Sequence, residues 1–141
     1  MLTLMPFLLF DGYCAEAMEF YKSCLGGDLT VLKVGDTPMR EHMPPQKHGR
    51  VAYAHLKNDS IEFSATDWLH PARTPTQGNT VCLYLSGNTY RDLKHNFDKL
   101  ALGADPALLD DLREAPFGTY GHLADKYGVH WFFRSEEKSG A

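Results

Sequence analysis

The feature that most constrains the fold of this chain is an order of predicted elements that occurs twice. In the first half, an apolar run at 7–10 precedes a helical period at 14–25, and three strand-like segments follow. The second half has the same order, with its helical period at 89–102. Gly26 and Gly103, which lie 77 residues apart, end the two predicted helices. Two copies of strand–helix–strand–strand–strand predict an α+β protein of paired βαβββ modules.

The remaining strands are predicted from alternating apolar residues between turn residues. The polar stretch 35–49, with Pro38, Pro44 and Pro45, is predicted to be a loop. The predicted strands are 29–34, 51–56 and 61–65 in the first half, and 81–85, 108–109, 119–124 and 129–134 in the second.

These elements predict one domain over residues 1–141. The first module covers about residues 4–67, a linker about 68–79 and the second module about 80–134, and 135–141 form a polar tail. A chain of 141 residues can bury a core without disulfides or a structural metal.

Charge and cysteine content exclude some classes of function. The formal net charge is −4 and no cluster of Lys or Arg occurs, which disfavours binding to nucleic acid or to an anionic membrane. The apolar start of the chain is too short to span a membrane. Three cysteines without metal-ligand spacing indicate reduced thiols and a cytoplasmic protein.

Several motifs together identify a family resemblance. The end of the chain has an aromatic-Gly-x-x-Tyr-Gly motif followed by Asp-x-aromatic-Gly-x-x-Trp. In this order and spacing the sequence resembles the PhnB-like branch of the glyoxalase/bleomycin-resistance superfamily, over about residues 4–134. The motifs are Pro6–Gly12, Cys14–Ala17, Phe20–Lys22, Met43–Pro45, Phe117–Gly121 and Asp125–Trp131.

The resemblance implies a curved mixed sheet that forms a cup, in which many relatives hold a divalent metal. The metal-ligand positions of such relatives fall on Pro6, Glu62, Thr80 and Phe132. Only Glu62 offers a strong ligand, and a stable site normally needs at least three protein ligands. We therefore expect no full metal site and no cofactor, and a divalent metal is disfavoured.

Five residues are the candidates for a site in the cup. Glu62 is the candidate catalytic carboxylate, and burial would raise its pKa towards that of a general base. His55, Tyr120, His122 and Trp131 are the candidate ligand contacts, and His55, Tyr120 and His122 are the expected hydrogen-bond partners of Glu62. The alternative is that these are ordinary polar positions on a solvated sheet face. His42 and His48 in the long loop are candidates to cap the cup, and His70, His95 and His130 are weaker candidates.

Three functions are compatible with this pattern. The favoured one is a small-molecule binding protein, which resembles the bleomycin-resistance relatives and acts as a homodimer. The alternative is an isomerase, lyase or dioxygenase that uses Glu62 as base or ligand. A third is a structural or regulatory protein whose cup is filled by side chains. Some relatives are called ubiquinone-pathway methyltransferases, but no glycine-rich methyl-donor motif follows the first strand here.

Overall fold

The predicted repeat is present in the structure, a computed structural model that describes residues 1–139. The first copy comprises β1 (Phe7–Phe10), α1 (Cys14–Leu25), β2 (Asp28–Lys33), β3 (Val51–Lys57) and β4 (Glu62–Asp67). The second copy comprises β5 (Leu83–Gly87), α2 (Tyr90–Leu100), β6 (Asp110–Ala115), β7 (Gly118–Ala124) and β8 (His130–Ser135). The chain divides into two compact units, Met1–Thr76 and the part from Gln77 onward, which we call the first and the second module.

In the first module, α1 covers one face of a four-stranded sheet. The strand order is β1-β4-β3-β2, and only the β1–β4 pair is parallel. The ring of Tyr21 packs edge-on against that of Phe63, with 5.9 Å between centroids. The helix buries the apolar stripe that its period predicts: Cys14, Ala17, Met18, Tyr21 and Cys24.

The second module repeats this topology with the strand order β5-β8-β7-β6. Helix α2 begins after Thr89, which is its N-cap, because the Thr89 side chain accepts a hydrogen bond from the Asp92 N–H. The buried face of α2 packs on β8, where the Phe97 and Phe133 rings lie 4.9 Å apart. Both predicted helices are therefore confirmed, and neither helix among residues 1–139 is long and apolar enough to cross a membrane.

A buried carboxylate ties α1 to the sheet of the first module. Asp67, at the end of β4, accepts hydrogen bonds from the backbone N–H groups of Gly12 (2.9 Å) and Cys14 (3.0 Å) at one oxygen. Its other oxygen accepts from the Val51 N–H at the start of β3, at 2.8 Å. Burial, and to a lesser degree Asp67, raises the pKa of the Cys14 thiol to about 12, so this thiol stays neutral.

The prediction of a strand at 108–109 is wrong. Leu108 ends a short 3₁₀ turn, and the strand β6 follows at Asp110–Ala115. This strand lies at the edge of its sheet, and most of its residues are exposed. An edge strand tolerates charged residues, so a search for apolar runs misses it.

Two other boundaries differ from the prediction. The stretch 35–49 contains short 3₁₀ turns rather than an irregular loop, because Pro38 and Pro45 occupy first helical positions, where proline is favoured. The strand expected at 81–85 begins two residues later, as β5.

Candidate functional site

Each sheet has one face that packs on its own helix and an opposite face, which we call the open face. On β4 of the first module, Phe63 and Ala65 face α1, whereas Glu62, Ser64 and Thr66 face the other way. Cross-strand pairing extends this open face, because directly paired residues point to the same side. Its exposed apolar side chains are Phe7, Leu9, Leu32 and Tyr53.

His55 and Glu62 form a hydrogen-bonded pair on the first open face. The hairpin register places Lys57 opposite Glu62 and His55 opposite Ser64, so the two side chains meet diagonally. The His55 Nε2 and Glu62 Oε2 atoms lie 2.7 Å apart, with 24% and 36% of the side chains exposed. The predicted hydrogen bond between them is confirmed, but Glu62 is half-exposed rather than buried as expected.

The His55 ring is held by its neighbour on the strand. Tyr53 lies parallel to it, with 6.2 Å between ring centroids and 11° between planes. The Ser64 hydroxyl donates to the Met5 sulfur at 3.3 Å, so the Tyr53 hydroxyl donates to Ser64 across 2.9 Å. These contacts limit the rotation of Tyr53 and hence the position of the imidazole.

The second module has a related pair at the corresponding positions. The hairpin-closing hydrogen bonds, from Asn58 N–H to Ile61 carbonyl and from Asp125 N–H to Val129 carbonyl, align the two hairpins. His55 and His122 lie three residues before the respective donors, and Glu62 and His130 follow the respective acceptors. The carboxylate of the first pair is therefore replaced by an imidazole in the second. The same alignment matches Tyr53 with Tyr120.

His122 is surrounded by groups of different charge. Its Nε2 lies 3.1 Å from His130 Nδ1, its Nδ1 lies 3.9 Å from Asp110 Oδ2, and its ring centroid is 4.5 Å from that of Phe132. Burial lowers the pKa of His122, His130 lowers it further, and the Asp110 carboxylate opposes both effects. His122 is therefore mainly neutral at neutral pH.

Tyr120 and Trp131, the other two predicted ligand contacts, differ in exposure, because Tyr120 is half-buried and Trp131 is buried. Tyr120 lies on the same face of β7 as His122, and the guanidinium of Arg113 lies 4.7 Å from its ring centroid. Trp131 is only 2% exposed, and its indole N–H donates to Asp125 Oδ2 at 2.8 Å. The other Asp125 oxygen accepts from the N–H groups of Tyr127 and Val129. The Asp…Trp motif thus builds the hairpin, and Trp131 belongs to the core.

The metal-ligand positions carried over by resemblance do not bring ligands together. Phe132 pairs with Tyr84 in the second module, and Phe7 pairs with Ser64 at the corresponding place in the first. Among the four carried-over positions, Pro6 and Phe132 have no donor atom in the side chain and Glu62 alone offers a strong ligand, whereas a divalent ion needs at least three protein ligands. Within residues 1–139, no group of three or more His, Cys, Asp or Glu side chains has an arrangement that would hold a metal.

Sequence reasoning missed the importance of Asp110 and undervalued His130. Asp110 lies on the edge strand that the apolar pattern did not reveal, directly opposite His122. The signal for His130 was its place after the second hairpin turn, which matches that of Glu62 after the first.

Comparisons with known proteins agree with the resemblance. Residues 3–133 match the family described as 3-demethylubiquinone-9 3-methyltransferase. Protein PA1353 from Pseudomonas aeruginosa is 27% identical, with a TM-score of 0.84 over 98% of this chain and 100% of that one. A putative 3-demethylubiquinone-9 3-methyltransferase, the PhnB protein from Bacillus cereus, is also 27% identical, with a TM-score of 0.72 over 94% and 98% of the two chains.

A more distant structure identifies the fold type. A glyoxylase/bleomycin resistance protein/dioxygenase domain from Frankia sp. EAN1pec is 16% identical, with a TM-score of 0.63 over 94% of this chain and 95% of that one. The α+β fold predicted from the repeat, of the glyoxalase/bleomycin-resistance type, is therefore confirmed. No curated protein matches the sequence.

Proposed function

Since the chain belongs to the PhnB-like family described as 3-demethylubiquinone-9 3-methyltransferase, we propose that it binds a small molecule on the open face of its first module. The observation that carries this proposal is the His55–Glu62 pair, a fixed polar group among exposed apolar side chains. An apolar surface with few oriented polar groups is typical of small-molecule sites.

The ligand that suits this face is partly apolar and carries a hydrogen-bond donor. Phe7 and Leu9 on β1 and Leu32 on β2 flank the pair and would contact the apolar part. The Glu62 carboxylate has acceptor capacity beyond its bond to His55 and would accept from the donor. Tyr120 and His122 are proposed contacts for a ligand at the second module, whereas the burial of Trp131 argues against direct contact.

The alternative is an enzyme of the same superfamily that uses Glu62 as a general base. The half-exposed carboxylate is accessible to substrate, and the imidazole could stabilise a negative charge that develops nearby. Proton abstraction, as in an isomerase or lyase, needs only these groups. Pro6 and Phe132, which occupy two of the four carried-over metal positions and offer no side-chain ligand, favour a mechanism without a full metal site. Metal analysis of protein purified without chelator tests this directly.

The methyltransferase in the family description is not part of the proposal. Binding of a methyl donor on a doubly wound sheet uses a glycine-rich turn after the first strand. Here β1 is followed by Asp11-Gly12-Tyr13 and then α1, and each sheet belongs to a βαβββ module.

We further propose a homodimer in the cytoplasm. Exposed aromatic and aliphatic side chains on both open faces, such as Phe7 and Tyr84, are suited to burial against a second chain. The three free cysteines suit a reducing compartment. Light scattering at micromolar concentration should give twice the 15.9 kDa of one chain, and a stable monomer would refute the dimer.

The binding proposal is tested with a panel of metabolites and antibiotics by thermal shift, followed by calorimetry. A ligand at a hundred times its Kd adds about 2.7 kcal/mol to the free energy of unfolding. We expect Glu62→Gln to weaken binding of the hit at least tenfold, because the amide loses charge but nearly keeps shape. Glu19→Gln, on the exposed side of α1, is the matched control. Equal affinity for both variants would reject the assignment of Glu62.

A further inference from the structure

Three titratable side chains of the second module stand in a line that ends at a cavity. Asp110 on β6, His122 on β7 and His130 on β8 follow one another across three adjacent strands. His130 also lines a cavity of about 400 Å³ within the same module. We propose that this line is a proton relay, in which His130 acts as a base towards a small molecule that carries a hydroxyl group.

The direction of the relay follows from the hydrogen-bonding capacity of each group. A carboxylate only accepts, so Asp110 favours a proton on His122 Nδ1, the atom that lies 3.9 Å from it. In neutral His122 the Nε2 atom is then an acceptor. It accepts from His130 Nδ1–H across the observed 3.1 Å. The Nε2 atom of neutral His130 is therefore left with a lone pair, which can accept a proton.

The relay requires that both rings are neutral at rest. Burial and the neighbouring His130 disfavour a charge on His122, and the Asp110 carboxylate opposes this only in part. The two rings are inclined by 25° with 5.2 Å between their centroids, which suits a hydrogen bond in the ring planes. The residues around the pair thus favour a neutral His122, and the hydrogen bond between the rings defines the tautomers.

The cavity is open to solvent, and it has the size of a small-molecule site and a mixed polar and apolar lining. Small-molecule sites range from about 300 to 1,000 Å³, so this cavity lies at the lower end. The Gln77 amide is held by a hydrogen bond to the Tyr127 carbonyl, and Asn79 is a second amide of the lining. Leu108 and Ala124 supply apolar surface. A neutral molecule with one hydroxyl or enol group fits this combination.

The proposed step is a simple proton transfer. The ligand O–H bond breaks, its electron pair stays on the oxygen, and the proton forms a bond to His130 Nε2. His130 becomes an imidazolium, and its Nδ1 proton can move to His122 Nε2. The positive charge then lies beside Asp110, which stabilises it. The relay lies entirely within the second module, so it does not depend on the proposal for His55 and Glu62.

The tautomers are tested first, by two-bond ¹H–¹⁵N NMR of the unaltered protein at pH 8. We expect the proton on Nδ1 in both His122 and His130, whereas free histidine favours Nε2. In Asp110→Asn, His122 should lose this preference. An Nε2–H form of either ring in the unaltered protein would overturn the proposal.

Proton acceptance is tested with 4-nitrophenol, a small phenol whose ionised form absorbs visible light. At pH 7, above the ordinary histidine pKa of about 6.5, we expect a saturable rise in nitrophenolate absorbance with the unaltered protein and with His95→Phe, a matched control on the exposed side of α2. The rise should disappear in His130→Phe, with circular dichroism as a check on folding. No saturable rise, or an equal rise in His130→Phe, would refute the relay. Loss in Glu62→Gln with an unchanged rise in His130→Phe would assign the effect to the first module and refute the relay.

Discussion

The two modules have the same strand order but different chemistry at corresponding positions. The first hairpin pairs an imidazole with a carboxylate, His55 with Glu62. The second pairs two imidazoles, His122 with His130, and adds Asp110 from the edge strand. The backbone register thus determines which positions meet, and the residue at each position determines what the pair can do.

The two modules also differ at corresponding residues whose hydrogen bonds support the fold. Asp67 at the end of β4 accepts three backbone N–H groups, whereas the corresponding Ser135 at the end of β8 donates to the Glu137 carbonyl. In the hairpin turns, Asn58 of the first module corresponds to Asp125 of the second. Substitutions at corresponding residues of the two modules can therefore show which hydrogen bonds stabilise both modules and which stabilise only one.

The largest effect is expected at Asp67. Asp67→Ala leaves three N–H groups without their acceptor, two of them in buried hydrogen bonds, at about 1–3 kcal/mol each. We expect urea unfolding to show a loss of about 4 kcal/mol. Ser135→Ala is the matched control and should lose about 1 kcal/mol. Equal losses would contradict this prediction, because they would mean that Asp67 and Ser135 contribute equally to the free energy of unfolding.

The next largest effect is expected at Asp125. Asp125→Ala removes the acceptor of the buried Trp131 indole and of two turn N–H groups, so we expect a loss of about 3 kcal/mol. Asn58→Ala in the first hairpin removes more exposed bonds and should lose about 1 kcal/mol. Denaturant unfolding of both variants measures the difference, and a larger loss for Asn58→Ala would contradict it.

A smaller effect on stability is expected when the pH is lowered, through His122 of the His122–His130 pair. The pKa of His122 is lower in the folded protein than its ordinary value of 6.5, so the unfolded chain binds more protons between those two values. Stability should therefore fall as pH decreases below about 6.5, until the folded pKa is passed.

His122→Asn tests this contribution by differential scanning calorimetry at pH 7.5 and 5.5. The variant should lose less stability between these pH values than the unaltered protein. His95→Asn, on the exposed side of α2, is the control and should behave like the unaltered protein. The same pH dependence in all three proteins would exclude a role of His122.

The smallest effect on stability is expected at the first pair. Glu62→Gln removes the carboxylate from a half-exposed contact with His55, and even fully charged exposed pairs contribute only about 0–1 kcal/mol. The free energy of unfolding, measured by thermal unfolding at pH 6, should therefore change by less than about 1 kcal/mol, even if ligand binding is lost. A loss as large as that of Asp67→Ala would mean that Glu62 supports the fold rather than a site.

The sequence by itself determined the fold to a large extent. Helical periods ended by glycine, and hairpins between alternating strands, are local patterns, and both helices and the hairpins 51–67 and 118–135 follow them. The His55–Glu62 contact was also predictable, because a short hairpin turn brings residues seven apart onto neighbouring strands.

Only the tertiary structure decided the contacts that join distant segments. Asp110 meets His122 because β6 pairs with β7, and no apolar pattern marks that edge strand. The donors of Asp67 lie 16, 53 and 55 residues away along the chain. Periodicity is set by neighbours within one element, whereas register and burial depend on how elements pack. For this reason the sequence identified Glu62 and His122 as candidates but not the different partners that define their chemistry.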